Sequence, residues 1–195
     1  MYRGPAIDDR EMLARVPGEL AAFLEQTNGY VAFDGGLHLR GACHAPPWHA
    51  LRTAWEGPLA LHMLYPDIRA TDCPFAEDAL GDQYLIREGA IFRLDGETGD
   101  VRPFAADLYT FDADARGDPI GYLNLAPLER FRAEGGSLAI GQSLSVYPPF
   151  CVAESAGGVS YRAVDTLSRR SSLAALAAQL RELPDGTRID LVVRE

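Results

Sequence analysis

The chain has 195 residues, of which 47% are hydrophobic and 24% are charged. This size and composition are typical of one globular domain with an ordinary apolar core, and they exclude a disordered chain. The net charge of −10 argues against a surface that binds nucleic acid or anionic membranes, because both carry dense negative charge.

All 18 basic residues are Arg. The absence of Lys excludes the Walker A phosphate loop, the Schiff-base lysine and the catalytic Ser–Lys pair, since each requires a lysine amine. Three cysteines are too few, and odd in number, for a disulfide framework, which indicates a reducing compartment. The first residues lack the apolar core of a signal peptide, and the longest apolar run is too short to span a bilayer. We therefore expect a cytoplasmic protein.

The first forty residues predict two short helices followed by strands. Asp8 and Glu11 are spaced as an N-terminal capping pair, so a helix should begin there, and Pro17 should restart it. Asn28 and the glycine after it supply a left-handed stop. The run 30–40, broken by two glycines, predicts two short strands or one bulged strand.

Two further elements are predicted before residue 66. A helix should begin at Pro47, with Trp48, Leu51 and Trp55 at helical spacing on one face. Both indoles are therefore expected on the same side, in the core, although tryptophan is also common at partner-binding hot spots. The apolar run 59–65 is interpreted as a buried strand.

The clearest local pattern, over residues 83–104, is a three-stranded antiparallel meander. Two alternating runs flank a two-residue Glu-Gly turn, and a second turn leads into a third strand. The first turn places Ile86 opposite Ile91, and Leu85 opposite Phe92. Because these pairs point to opposite faces, both faces of the sheet should be partly covered.

Three helices are predicted in the second half of the chain. Two cover 107–115 and 127–134, and a pair of glycines ends the second. The third should begin behind a cap at Ser171-Ser172. Its apolar face is formed by Leu173, Leu176, Leu180 and Leu183.

The C-terminal part is predicted to form an extension. Residues 188–194 alternate like a final strand with one buried face. The small residues of 153–158 indicate a segment that separates the core from a C-terminal addition. We accordingly expect a domain over residues 1–152 and a C-terminal extension over 153–195 that packs on it.

A group of features between Pro17 and Leu128 resembles the SUKH superfamily, which includes yeast cell-wall synthesis regulators and many bacterial proteins. The elements that carry the resemblance are a helix ending at Asn28-Gly29, the acidic Glu77-Asp78, the run Gly81-Asp82-Gln83-Tyr84 before the hairpin, and Glu97-Thr98-Gly99 in its second turn. Val16-Pro17 stands where the family often has Leu-Pro, and roughly the last 45 residues extend beyond the common core.

The resemblance implies an α+β domain with a mostly antiparallel sheet packed against helices, no cofactor and no catalytic residues. Bacterial members of the family are thought to act largely as immunity proteins. They bind and neutralise toxins, often nucleases, that neighbouring cells deliver.

Acidic residues are concentrated in 72–114, which holds eleven acids and three Arg and carries −8 of the net charge of −10. An acidic surface there would steer a basic partner and raise its association rate. The alternative is that the same acids form turns and helix caps on a solvated face. The predicted partner-binding residues are Asp72, Glu77, Asp78, Asp82, Glu97 and Asp100.

Catalytic and metal chemistry is not predicted. His38, Cys43, His44 and His49 lie within twelve residues but lack the short ligand pairs of zinc sites, so no metal site is expected. The run 141–145 lacks the second glycine of a nucleophile elbow.

The leading hypothesis is a non-enzymatic, cytoplasmic immunity protein that masks a basic toxin domain through its acidic segment. The first alternative is an intracellular regulator or scaffold that binds an endogenous protein. A remote alternative is a Cys- or metal-dependent hydrolase that uses the region from His38 to Cys73, because such sites assemble in space rather than along the chain.

Overall fold

A computed structural model describes residues 1–184 of the chain, and the fold is α+β. The strands are β1 (Tyr2–Arg3), β2 (Tyr30–Ala32), β3 (Leu37–Leu39), β4 (Cys73–Asp78), β5 (Gln83–Arg87), β6 (Ala90–Leu94), β7 (Val101–Ala105), β8 (Gln142–Tyr147) and β9 (Ser160–Asp165). The helices are α1 (Arg10–Arg15), α2 (Gly18–Gln26), α3 (Leu51–Trp55), α4 (Leu61–Leu64), α5 (Leu108–Gly117), α6 (Pro119–Tyr122), α7 (Ala126–Ala133) and α8 (Thr166–Arg181). Short 3₁₀ helices occupy Phe33–Gly35 and Ala153–Gly157.

The main sheet has seven strands in the order β1-β2-β3-β4-β5-β6-β7, and every neighbouring pair is antiparallel. Each strand therefore pairs with its neighbour along the chain. A separate antiparallel pair, β8-β9, precedes the C-terminal helix α8. The predicted α+β fold with a mostly antiparallel sheet is confirmed.

The central meander is formed by β5, β6 and β7, as predicted. Ile86 pairs with Ile91 and Leu85 pairs with Phe92, which is the register expected from a two-residue turn. Ile86 and Ile91 face the main hydrophobic core, while Leu85 and Phe92 belong to a second cluster. Both faces of the sheet are therefore covered, and this prediction is also confirmed.

Helices cover the two faces of the sheet unequally. The main core receives buried side chains from α1, α2, α3, α5 and α7. The smaller cluster on the other face is completed by α4, Tyr65 and α8, which contributes Ala174 and Ala177. Because α8 lies against the sheet, its apolar side is buried by tertiary packing.

The N-terminal helices agree with the sequence except at the first cap. Asp9, rather than Asp8, is the N-cap of α1, and its carboxylate accepts a hydrogen bond from the Met12 amide at 3.0 Å. Asp8 accepts a hydrogen bond from the His44 amide at 2.8 Å, so its side chain points away from the helix. The run after Gly29 forms two short strands separated by a 3₁₀ turn, one of the two predicted forms.

The predicted helix from Pro47 begins four residues later, at Leu51. The reason is a backbone bridge, in which the Gly41 amide donates to the His49 carbonyl and the Leu51 amide donates to the Gly41 carbonyl, both at 2.9 Å. This bridge holds the preceding residues outside the helix. Trp48 therefore lies in a turn, and the prediction that it shares a helix face with Trp55 is wrong.

The predicted strand over 59–65 is wrong as well, because this run contains α4. Leu61 and Tyr65 are buried four residues apart, which is the spacing of one helix face. A short apolar run does not distinguish a helix from a strand by periodicity alone.

The C-terminal helix begins five residues before the predicted cap. Asp165 caps α8 by accepting a hydrogen bond from the Ser168 amide at 2.8 Å. Ser171 and Ser172 lie inside the helix and donate their hydroxyl hydrogen bonds to carbonyls four residues earlier. Leu173 is buried as predicted, whereas Leu183 is exposed.

The expected boundary at residue 152 falls between two paired strands, since β8 precedes it and β9 follows it. The predicted helix and strand pattern of the C-terminal extension is described only as far as α8, and the predicted strand over 188–194 lies outside the described residues. Within residues 1–184, no helix combines the length and apolar character needed to cross a membrane.

Replacing Phe111 with Ala should lower the free energy of unfolding by about 3–5 kcal/mol. Phe111 is 1% exposed and packs its ring against Phe75 and Tyr84, with centroids 5.2 and 4.9 Å away. Tyr109→Ala on the same helix is the control, because Tyr109 is 83% exposed and should cost less than about 0.5 kcal/mol. Urea unfolding of both variants tests the prediction, and equal losses would contradict this core.

The pairing of Asp9 with Arg52 should make stability depend on acid pH. Hydrogen bonds from Arg52, at 2.7 and 2.9 Å, lower the pKa of Asp9 to about 2. A carboxyl whose pKa is lower in the folded chain stabilises it above the unfolded pKa of about 3.9 and loses that contribution as the pH falls. Asp9→Asn should keep the cap but remove about 1 kcal/mol of this dependence between pH ~4 and ~2, since Arg52 is partly solvated. Urea unfolding of both proteins at several pH values in that range measures this effect. An equal dependence of the unfolding free energy on pH in the two proteins would contradict the assignment.

Candidate functional site

The six acids predicted to bind a partner lie on or beside β4 and in the turn between β6 and β7. Five of them are at most 9% exposed. Only Asp100 is exposed to solvent. The expected acidic surface is therefore wrong at these five positions, and the reason is that each carboxylate has an internal partner. Their role in partner binding stays a prediction. The five buried acids are Asp72, Glu77, Asp78, Asp82 and Glu97.

Asp72 directly precedes β4, and its side chain binds Arg87 at the end of β5. Its carboxylate accepts hydrogen bonds from Arg87 at 2.9 and 2.6 Å and from the Arg69 amide at 2.8 Å. A paired, two-point contact of this kind fixes geometry as well as charge. Asp72 therefore joins two strands and a loop.

Asp78 and Asp82 organise the turn from β4 to β5. One oxygen of Asp78 accepts hydrogen bonds from the amides of Leu80, Gly81 and Asp82, at 3.0 to 3.2 Å. Arg93 donates to Asp82 at 2.6 and 3.0 Å. Burial, followed by the charge of Asp82, raises the pKa of Asp78 well above its usual range. Turn formation, the alternative weighed from the sequence, explains these two acids.

Glu77 is the centre of a buried polar network. One carboxylate oxygen accepts hydrogen bonds from Arg40 at 2.6 Å, from the side-chain amide nitrogen of Gln83 at 3.1 Å and from Arg170 at 3.4 Å. The other oxygen lies 2.8 Å from Nδ1 of His38, the residue paired with Glu77 across β3 and β4. Burial is the largest single effect and raises the pKa of Glu77, but the charge of Arg40, the hydrogen bond to His38 and the charge of Arg170 together outweigh it, so the pKa lies well below its usual range.

The two arginines beside Glu77 are themselves buried. Arg40 also donates to the carbonyls of Pro74 and Ala76, at 3.0 and 3.3 Å. Burial lowers the pKa of Arg40 to about 10, so it remains charged at neutral pH. Arg170 is 2% exposed, and its Nε and Nη1 atoms have no hydrogen-bond partner among the described residues. Two buried cations thus share the carboxylate of Glu77.

A chain of hydrogen bonds continues from Glu77 through two histidines. Nε2 of His38 lies 2.9 Å from Nδ1 of His49, and Nε2 of His49 lies 2.9 Å from the carbonyl oxygen of Asn28. We call Glu77, His38 and His49 the histidine relay. The relay connects β4, β3, the turn before α3 and the residue before Gly29.

Aromatic rings cover the outer side of the relay. Trp48 lies 5.0 Å from His38 and 5.3 Å from His49, and Tyr2 lies 5.3 Å from both Trp48 and His49, measured between ring centroids. Trp55 instead donates its indole N–H to the Ala70 carbonyl. The two tryptophans therefore serve different parts of the fold.

A cavity of about 280 Å³ opens beside the relay, and we call it the relay pocket. His38, Glu77 and Trp48 line one side, and the loop 137–142 lines the other. Gly141 has a φ of +82°, and a Cβ atom there would lie 3.1 Å from the Trp48 indole. This position therefore favours glycine both for its backbone and for its close approach to the ring.

A wider groove of about 700 Å³ is lined by residues of β6, β7, α7, β9 and α8, and we call it the charged groove. Three of the six predicted site residues, Asp82, Glu97 and Asp100, line it. Four arginines also line it. They are Arg93, Arg102, Arg130 and Arg169.

Metal chemistry has no counterpart among residues 1–184, where no group of three or more His, Cys, Asp or Glu side chains is placed to hold a metal ion. His38 and His49 use both ring nitrogens in the relay, whereas His44 is exposed. Cys43 and Cys73 are free and buried, and Cys151 is free and half-buried. Burial raises the pKa of Cys43 to about 11 and that of Cys73 to about 12, so neither is a ready thiolate.

The two buried arginines are not among the residues predicted from the sequence. Arg40 follows β3 two residues after His38, so alternation places both on one face. Arg170 is three and seven residues before the buried Leu173 and Ala177, which is helical spacing. The spacing of each arginine therefore indicated a buried face of its element. Both were nevertheless expected at the surface, because charged side chains are seldom buried.

Glu77→Ala should lower the free energy of unfolding by about 3–5 kcal/mol, because two buried guanidinium groups would lose their counter-charge. Asp100→Ala is the matched control from the same predicted set. Its exposed ion pair with Arg102 should contribute less than about 1 kcal/mol. Chemical denaturation at neutral pH measures both. A Glu77 variant as stable as the Asp100 variant would show that the network is not a structural centre.

Comparison with known proteins supplies a fold relative. No protein-family profile matches the chain, and no curated protein matches it. The crystal structure of Atu4351 from Agrobacterium tumefaciens is similar, with a TM-score of 0.52 and 15% sequence identity over 89% of this chain and 81% of that chain. At this identity the likeness shows a shared fold alone.

Proposed function

We propose that the chain is a non-enzymatic protein-binding module of the SUKH type that acts as an immunity protein, and that it holds its toxin at the charged groove. The observation that carries the proposal is the convergence of Asp82, Glu97 and Asp100 on one open groove together with aromatic side chains. The mechanism is occlusion, in which the bound module covers the working surface of the toxin.

The composition of the groove fits a polypeptide segment. Phe104, Phe150 and Tyr161 supply apolar surface, and Phe150 is exposed. Arg130 lies over the Tyr161 ring, 5.9 Å from its centroid, and Arg93 lies at the same distance from Phe104. An apolar floor with charged groups at the rim is typical of protein interfaces.

Charge at the groove differs from the expected acidic surface. Four acids and four arginines line the groove, so it is locally balanced. Arg93 pairs with Asp82, and Arg102 pairs with Asp100. The groove therefore favours a segment that carries both charges, while the net charge of −10 steers a basic partner toward the whole molecule.

The neighbouring sheet edge is a poor alternative for binding. β7 is the last strand of the sheet and contains Arg102 and Pro103. A charged residue and a proline at an edge oppose the addition of another strand. The partner is therefore expected to bind by side chains in the groove.

The double variant Asp100→Arg/Phe150→Ala should lose at least about tenfold in affinity for the captured partner, which equals about 1.4 kcal/mol. Asp114→Arg is the matched control, because it makes the same charge reversal within the acidic segment at an exposed position outside the groove. Partners are captured with the tagged chain from lysate and secreted proteins of the source organism. Calorimetry then measures each variant.

The identity of the partner separates the two functions. A secreted protein with a basic nuclease-like domain supports the immunity role, and an endogenous housekeeping protein favours an intracellular regulator or scaffold instead. Equal affinity of the double variant and the control would place the interface outside the groove.

A further inference from the structure

The histidine relay contains three close contacts that each need a proton. The contacts join Glu77 Oε1 to His38 Nδ1 at 2.8 Å, His38 Nε2 to His49 Nδ1 at 2.9 Å, and His49 Nε2 to the Asn28 carbonyl oxygen at 2.9 Å. Two acceptors facing each other at these distances would repel, so each contact requires one hydrogen between its heavy atoms.

Two neutral imidazole rings cannot fill all three contacts. The Asn28 carbonyl only accepts, so His49 Nε2 carries a proton. If both rings are neutral, His49 Nδ1 has no proton, and His38 carries one proton, on Nε2 or on Nδ1. A proton on Nε2 leaves the contact with Glu77 unfilled, and a proton on Nδ1 leaves the contact with His49 unfilled. Two neutral imidazoles and a carboxylate therefore supply only two of the three protons.

We propose that the closed histidine relay binds a third proton, that the His38–His49 pair carries it, and that its release to water as the pH rises opens the turn bearing Trp48. The proposal does not depend on the charged groove. The protonated relay acts as a pH-sensitive latch, in that it keeps the turn bearing Trp48 closed beside the relay pocket.

The third proton is assigned to the imidazole pair because Glu77 stays ionised. Arg40 at 2.6 Å and Arg170 at 3.4 Å both hold positive charge next to the other carboxylate oxygen. An imidazolium on either ring satisfies all three contacts and pairs with the carboxylate of Glu77. The proton can therefore be shared between His38 and His49 across their 2.9 Å contact.

Two opposing effects set the pH at which the relay releases its third proton. Burial lowers the pKa of His38, and it lowers the pKa of His49 to about 4, both of which favour release of the proton. Contact with Glu77 and the need to fill three hydrogen bonds favour retention. The titratable and charged groups around the relay are Glu77 and Asp78 of β4, Arg40 after β3, Arg170 of α8, Tyr2 of β1 and Cys43 near Tyr2, and Asp34 and Arg132 line the relay pocket.

Release of the proton leaves His38 with one hydrogen, and the carboxylate of Glu77 favours it on Nδ1, so the contact between His38 and His49 is the one left unfilled. The contact between His38 and His49 joins β3 to the turn before α3, and Trp48 is the neighbour of His49 in that turn. Trp48 also lines the relay pocket. Opening of this contact would therefore move Trp48 and change access to the pocket.

Nitrogen-15 NMR of the whole chain counts the protons directly. Because burial lowers the pKa of both rings, the four ring nitrogens of His38 and His49 should carry three protons at about pH 4 and two at about pH 8.5. The indole N–H of Trp48 should shift with the same midpoint. Trp55 should not, because its indole binds the Ala70 carbonyl elsewhere in the fold.

Glu77→Gln provides the decisive variant. The Gln amide nitrogen can donate to His38 Nδ1 while its oxygen accepts from Arg40, so all three contacts close with two neutral rings. The pH step at Trp48 should disappear in this variant. The control is His44→Gln, which alters an exposed histidine outside the relay and should leave the step unchanged.

Three results would overturn the proposal, and the first two need only the unaltered chain. One is two nitrogen protons at both pH values, or three at both. Another is a protonated Glu77 carboxyl beside two neutral rings, since that would put the proton on the wrong group. The last is a folded Glu77→Gln protein that keeps the pH step.

Discussion

The neutralisation of two buried arginines by one carboxylate is the constraint on which the interior depends. Arg40 enters from the end of β3, Arg170 from α8 and Glu77 from β4, and Gln83 of β5 completes the set. Removing a buried charge from water is costly unless it is paired and hydrogen-bonded. The positions of three strands and the C-terminal helix are therefore fixed relative to one another by this requirement as well as by apolar packing.

Local periodicity was sufficient to predict the elements whose neighbours lie close in the chain. The meander of β5, β6 and β7 followed from alternation and a two-residue turn, and the register of Ile86 with Ile91 followed from the turn length. The helix capped by Asp107 also agreed, because its cap lies three residues from the amide that it binds. In these cases the determining contacts span few residues.

The site was harder to predict because its determining contacts are distant in sequence. Glu77 is separated from Arg40 by 37 residues and from Arg170 by 93 residues. A concentration of acids along the chain therefore could not reveal that Glu77 is buried beside two arginines, or that five of the six predicted residues are buried at all. The turn that contains Trp48 was mispredicted for the same reason. Local spacing predicted a helix from Pro47, but the bridge between Gly41 and Ala50, which are separated in sequence, makes the helix begin at Leu51.

Arg169 and Arg170 are adjacent on α8 but belong to different places in the molecule. Arg169 lines the charged groove, 3.9 Å from Glu97, whereas Arg170 reaches Glu77 of the histidine relay. A rigid helix cannot shift one of these side chains without shifting the backbone of the other. A molecule that bound the groove more tightly in one position of α8 than in another would therefore change the proton affinity of the relay, and protonation would change that binding by the same factor.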